Sequence, residues 1–351
     1  MNKHTLRIYG GGGVGANALI HGINIPEELQ NAGVFPRTQA VILDTSDANI
    51  RGMEEQMLDL GITAFLVPDA RGFGKDRTKA YKAISPHIAT ILQENPAGDY
   101  NIVIGGTSGA SGSIFAHLLT MELLKRGENV VVILVGSIAS AIEADSAKKV
   151  IEGLQGACES SKRSLPFVYL ENASSPNEDM PWQMPQGDAD KEIDRVVGYL
   201  AMMTSGNLTR LDHRDVSNFL HPDKVVKSVP PQLTQLVVGK TNDDHWSEYV
   251  GKTITTMSAR QSSDTGIPAL ESLYDTEGFY KPEIHTGNKL SDALPSTGLE
   301  DLLLATTTKD VAAIYEHLTE VCDTYESHAS NLSKASAISS SSDMGGDCMV
   351  L

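Results

Sequence analysis

A short apolar run, Thr5 to Gly10, leads straight into Gly10-Gly11-Gly12-Gly13-Val14-Gly15-Ala16-Asn17, and helical composition follows. The same unit recurs downstream, where YNIVIGG (100–106) leads into Thr107-Ser108-Gly109-Ala110-Ser111-Gly112-Ser113 and a second helical stretch. A glycine-rich turn that opens a helix offers unhindered backbone N–H groups and the positive end of the helix dipole, the elements of an anion site. Two such turns serve one ligand when their strands run parallel and end at the same edge of a sheet. The rest of the first half agrees. QAVILDT (39–45), TAFLVP (63–68), NVVVILVG (129–136) and PFVYLEN (166–172) read as buried strands, with helical composition at 15–32, 76–94, 112–127 and 144–163. Such alternation predicts a parallel sheet covered on both faces, each crossover being long enough to return the chain.

Residues 186–207 predict one long helix, with acids near its start and Gly206-Asn207 at its end. Beyond it, QLTQLVVGKT (232–241), KTITTMSARQ (252–261) and DLLLATTT (301–308) read as strands, and a helix is expected from Lys309 to about Ala329. The expected architecture is therefore α/β. A nucleotide-binding parallel-sheet domain spans 1–185, a central helix 186–207, a smaller α/β domain 208–330, and a flexible acidic tail 331–351. The tail is rich in Ser and Gly and ends Asp347-Cys348-Met349-Val350-Leu351.

Charge narrows the partners. With 45 acidic against 28 basic residues the net charge is −17, which disfavours a protein that tracks nucleic-acid phosphates. Three widely spaced cysteines make neither a disulfide framework nor a zinc pattern, and the histidines lack ligand spacing, so no protein-held metal is expected. No apolar run reaches spanning length, so membrane association is not expected either, and the cytoplasm is the expected compartment.

Two nucleotide folds compete. Gly10, Gly12 and Gly15 satisfy G-x-G-x-x-G, and Asp44 follows the next strand where a dinucleotide fold places its ribose acid, as in an NAD-dependent oxidoreductase. That fold needs one glycine loop. Two loops, with Arg71-Gly72-Phe73-Gly74 as a third turn, can wrap a triphosphate. The sequence contains no G-x-x-x-x-G-K-[ST], so a triphosphate here relies on backbone donors and a magnesium ion. After the long helix, Asp212 and Asp215 stand three apart. At a helix start both can face one side, where they serve either as an N-cap with a first-turn acid or as catalytic carboxylates.

The segment Ser108 to Ser113 resembles the tubulin signature G-G-G-T-G-[ST]-G, with serine and alanine in place of two glycines. With it come Gly15-Ala16-Asn17-Ala18, the Asp44-Thr45 turn, Gly72-Phe73-Gly74, and Thr209-Arg210-Leu211-Asp212-His213-Arg214-Asp215-Val216 after the long helix. Taken in order, these resemble the tubulin and FtsZ superfamily, and most of all bacteriophage tubulins of the PhuZ type. The resemblance implies a GTPase that binds GTP/GDP with Mg2+, assembles head to tail into dynamic filaments and positions the phage replication compartment in the host bacterial cytoplasm. It also implies a phage structural protein as a candidate partner at filament ends. It places Gly12, Gly13, Val14, Asn17, Asp44, Thr45, Gly72, Gly109, Ala110, Ser111, Gly112 and Ser113 around the nucleotide, with Asp145 toward the ribose. Asp190 falls against the guanine edge, where a carboxylate accepts from N1–H and the exocyclic amine. Asp212 and Asp215 act on the neighbouring subunit's nucleotide. Where the family stacks an aromatic on the base this sequence has Gln186, with Trp182 or Met184 as substitutes.

Overall fold

A computed structural model describes residues 4–185, 187–206, 212–224, 229–239, 253–260, 283–288, 301–307 and 309–342. Six parallel strands form its N-terminal half: β1 (Thr5–Gly11), β2 (Arg37–Asp44), β3 (Ile62–Leu66), β4 (Tyr100–Gly106), β5 (Val130–Ser137) and β6 (Leu165–Ala173), in the order β6-β5-β4-β1-β2-β3. These are the six runs expected from the sequence. Parallel register makes Gly11 of β1 face Gly105 of β4, so the two glycine segments leave the sheet side by side.

The sheet continues through β8 (Leu233–Gly239), β11 (Asp301–Thr307), β9 (Thr253–Arg260) and β10 (Glu283–Asn288), while β7 (Gln183–Pro185) pairs with β6. Both β7 and β10 escape the sequence reading. The first has three residues, and the second, EIHTGN, has one branched apolar side chain, so pairing rather than propensity makes them strands.

Helices cover both faces. On one side lie α1 (Gly12–Asn17), α2 (Glu27–Asn31), α8 (Asp188–Met203) and α9 (His213–Leu220). On the other lie α4 (Arg77–Ile84), α5 (Ile88–Glu94), α6 (Ala110–Arg126), α7 (Ala141–Ser161) and α10 (Lys309–Ser342), while α3 (Glu54–Asp59) leads into β3. Along β4 the side chains alternate between the two cores, Ile102 and Ile104 toward α8 and Val103 toward α6. Ile193, Val196, Val197 and Leu200 of α8 are buried at helical spacing. Each such side chain contributes roughly 1.5–3 kcal/mol of burial.

Three helix expectations need correction. The helix expected over 15–32 begins at Gly12, passes through a π-turn at Ala18–Gly22 and breaks before Pro26, which lacks an N–H and holds Ile25 out of the helical region. The helix over 76–94 carries a 3-10 turn, Ser85–His87, around Pro86. The third correction concerns the tail: α10 runs to Ser342, so residues 331–342 are helical backbone rather than a flexible segment. A helix already nucleated on the domain propagates through Ala and Ser at little cost per residue. Residues 343–351, with Asp343 and Asp347, lie outside the described residues.

Candidate functional site: a glycine cradle and a distant acid pair

The cradle is built by backbone approach. Gly12 has φ +64°, and a Cβ on it would stand 2.8 Å from the Gly112 nitrogen, so the first loop crosses the second at a distance that excludes side chains. A Cβ on Gly15 would stand 2.2 Å from the Gly10 carbonyl carbon, which seats α1 directly on its own strand. Gly11 and Gly109 stand at the N-caps of α1 and α6, and neither helix start has a side-chain cap or a first-turn acid. Their N-terminal N–H groups therefore face the sheet edge without local side-chain acceptors, as an anion requires. Val14 is half-buried behind the loop, and Ser113 folds its hydroxyl back onto the Ala110 carbonyl, 3.1 Å away.

Hydrogen bonds join three turns into this cradle. Thr45 Oγ1 lies 2.6 Å from Ser111 Oγ, and the Gly72 N–H donates to the Thr45 carbonyl at 2.9 Å. The Ala110 N–H donates to the Gly74 carbonyl at 3.2 Å. Asp44 is buried at 3% exposure, with Oδ1 accepting the Thr45 N–H and Oδ2 accepting Asn49 Nδ2–H, each at 2.7 Å. Both oxygens of the dinucleotide-fold acid are thus engaged within the loop. The sequence reading missed Asn49, which lies against Gly13, and also missed Lys75 and Glu143. Lys75 Nζ sits 2.8 Å from Glu143, whose other oxygen accepts from Ser137 Oγ at 2.8 Å. This pair ties the Gly72–Gly74 turn to the first turn of α7, and nothing in local sequence marks it.

At the far side of α1, Asn17 Nδ2–H donates to Asp190 Oδ2 at 2.7 Å, joining two candidate residues 173 positions apart. Asn17 is exposed and Asp190, in the first turn of α8, is half-buried. Asp145 stays apart from this cluster: it pairs with Lys149 along α7 at 2.6 Å. Trp182 is not available to stack on a base. It is 5% exposed in the core beneath α10, with its ring against His317. Met184 packs on the α8 side of the sheet, and Gln186 lies outside the described residues.

Asp212 and Asp215 form a capping box. Asp212 Oδ1 accepts the N–H groups of Arg214 and Asp215 at 2.7 and 3.1 Å, and Asp215 Oδ2 accepts the Asp212 N–H at 2.9 Å. The Asp215 and then the Arg214 backbone N–H hold the Asp212 carboxyl below its ordinary range, so it is ionised at neutral pH. Asp212 is exposed and Asp215 half-exposed. Arg210 and Leu211 lie outside the described residues. The helix that carries the acids sits at the opposite edge of the sheet from the cradle. His213 Nδ1 lies 2.9 Å from the hydroxyl of Tyr100, the first residue of β4, whereas the cradle follows Gly106, its last. Seven residues of strand separate them by roughly 20 Å.

No family model matches the chain. A phage tubulin-like protein of Pseudomonas phage phiKZ is 27% identical over 309 residues, 86% of this chain and 88% of its own. Another, of Pseudomonas phage PhiPA3, is 27% identical over 244 residues, 70% of each chain. A solved protofilament of TubZ from bacteriophage PhiKZ has a TM-score of 0.71 at 24% identity, over 99% of this chain and 95% of its own. A GDP complex of the phage tubulin PhuZ has a TM-score of 0.74 at 19% identity, covering 93% and 92%. The chain is similar to phage tubulin-like proteins over most of its length and shares the phage tubulin fold. The phage tubulin fold accounts for the second glycine loop and the long helix α8, which the dinucleotide reading leaves unexplained. Among the described residues of this tubulin-like chain, no helix is long and apolar enough to cross a membrane.

Proposed function

We propose that this tubulin-like protein is a GTPase that polymerises head to tail, holding GTP in its glycine cradle and receiving Asp212 and Asp215 from the next subunit. The observation that carries the reading is the placement of cradle and acid pair at opposite ends of β4. One chain cannot bring its own acids to its own nucleotide across roughly 20 Å. A copy translated along the strand direction can, and a contact that repeats by translation does not close, so it builds a filament. The phage relatives support this, since one is solved as a protofilament and another with GDP.

In this reading the phosphates lie across the N-termini of α1 and α6, and Asp44 orients Thr45 and Asn49 toward them. Asp190, steadied by Asn17, reads the guanine edge. The paired Thr45 and Ser111 hydroxyls would help to hold a magnesium ion, which would supply charge neutralisation for the phosphates. Among the described residues no group of three or more His, Cys, Asp or Glu could hold a metal ion. The neighbour's Asp212 and Asp215 orient the attacking water. Filaments of this kind position the phage replication compartment in the host cytoplasm, with a phage structural protein at their ends. The acidic, apolar-ended segment 343–351 is an assembly element that reaches a neighbouring subunit.

Right-angle light scattering on addition of GTP, ATP or NAD tests the reading. GTP with magnesium alone should trigger assembly, and phosphate release should begin with it. Asp215→Ala should bind GTP and form longer-lived filaments at lower protein concentration. Parental phosphate release from Asp215→Ala filaments would sink the acid assignment.

A further inference from the structure

The acids answer to the first turn of α9, because each accepts hydrogen bonds from the backbone of that turn. Further along, Val216, Phe219 and Leu220 are buried and Ser217 Oγ donates to Asn129 Oδ1 at 3.1 Å. His213, which stands between Asp212 and Asp215 in sequence, ties the first turn to β4. Its Nδ1 meets the Tyr100 hydroxyl at 2.9 Å, and its ring lies 5.4 Å from that of Tyr100 and 5.4 Å from that of His4. Tyr100 is 2% exposed, so its ring is fixed in the core while its hydroxyl reaches α9. The strand that carries Tyr100 at one end carries the cradle at the other. The imidazole therefore registers the acids to the same rigid element that holds a subunit's own nucleotide loops.

We propose that His213 is a positioning residue for the acid pair, anchored by Tyr100. The proposal rests on the trans-acting GTPase reading above. In the neutral imidazole with its proton on Nε2, Nδ1 accepts the tyrosine O–H. Losing this contact frees the first turn of α9 and loosens the geometry in which the acids are presented, and displacement of a catalytic group by about 1 Å can lower turnover by as much as 10²-fold.

The test measures GTP turnover per polymerised subunit, beside GTP affinity of the monomer and the circular dichroism of each variant. Tyr100→Phe should bind GTP and assemble, with turnover roughly tenfold lower. His213→Phe should lose turnover similarly. His213→Asn, whose amide can meet the Tyr100 hydroxyl, should restore most of the turnover lost in His213→Phe. Parental turnover in either His213→Phe or Tyr100→Phe overturns the positioning role. A parent that neither binds GTP nor assembles refutes the trans-acting GTPase reading instead, which separates the two failures.

Discussion

Asp190 carries the nucleobase assignment, and the structure adds a partner that sharpens its test. Asn17 donates to one carboxylate oxygen, which orients Asp190. A carboxylate offers acceptors alone, which matches the two adjacent donors of guanine, N1–H and the exocyclic amine. Asparagine replaces one acceptor by a donor. Asp190→Asn should weaken GTP binding by about 1.5–3 kcal/mol and relatively favour XTP, whose base carries a carbonyl in place of the amine. Equal GTP affinity in parent and variant, measured by competition with a fluorescent nucleotide, would refute the assignment. Both residues of this pair stand out as candidates in the sequence, because a first-turn acid and a post-loop asparagine are local features. Their contact does not, since it joins segments 173 residues apart. Lys75 and Glu143 were missed for the same reason, and Trp182 was misjudged because sequence does not say which face of the sheet a side chain enters.

Among the elements, α9 is short, and a buried histidine at its C-cap helps to hold it. His221 is fully buried, with Nδ1 donating to the Ser164 carbonyl at 3.0 Å and Nε2 lacking a hydrogen-bond partner. Burial, then the charges of Arg163 and Lys224, push its pKa down to about 3. The unfolded chain takes up this proton near the ordinary histidine value of about 6.5 while the folded chain refuses it. Stability from this group is thus complete above that value and falls as pH drops toward 3, by about 2 kcal/mol at pH 5. Urea unfolding at pH 5 and pH 7.5 should show this loss in the parent and a smaller one in His221→Asn, which keeps a donor for Ser164. An equal loss in both proteins would remove His221 as the cause. Strands were the most legible elements: β1 to β6 announce themselves by buried β-branched runs. The break before Pro26 was written in the sequence and overlooked, whereas β7, β10 and the extension of α10 depend on tertiary pairing and on propagation from a docked helix.

For the whole molecule, assembly is where the parts acquire meaning. Segment 343–351 combines Asp343 and Asp347 with Met349, Val350 and Leu351. Deleting it should leave monomer GTP binding intact and raise the critical concentration for assembly, and high salt should mimic part of the effect. Assembly of the truncated protein at the parental concentration would show the segment to be dispensable. The division of β4 between cradle and acids has a further outcome. In the proposed head-to-tail row, every nucleotide would be covered by a following subunit except the one at the end whose cradle faces outward. That terminal nucleotide would meet no carboxylates and would stay intact until another subunit arrived. The two ends of such a filament would therefore differ in chemical age, with the newest, unspent fuel at one tip and the oldest product behind it, giving the polymer a direction that a partner could read without touching its length.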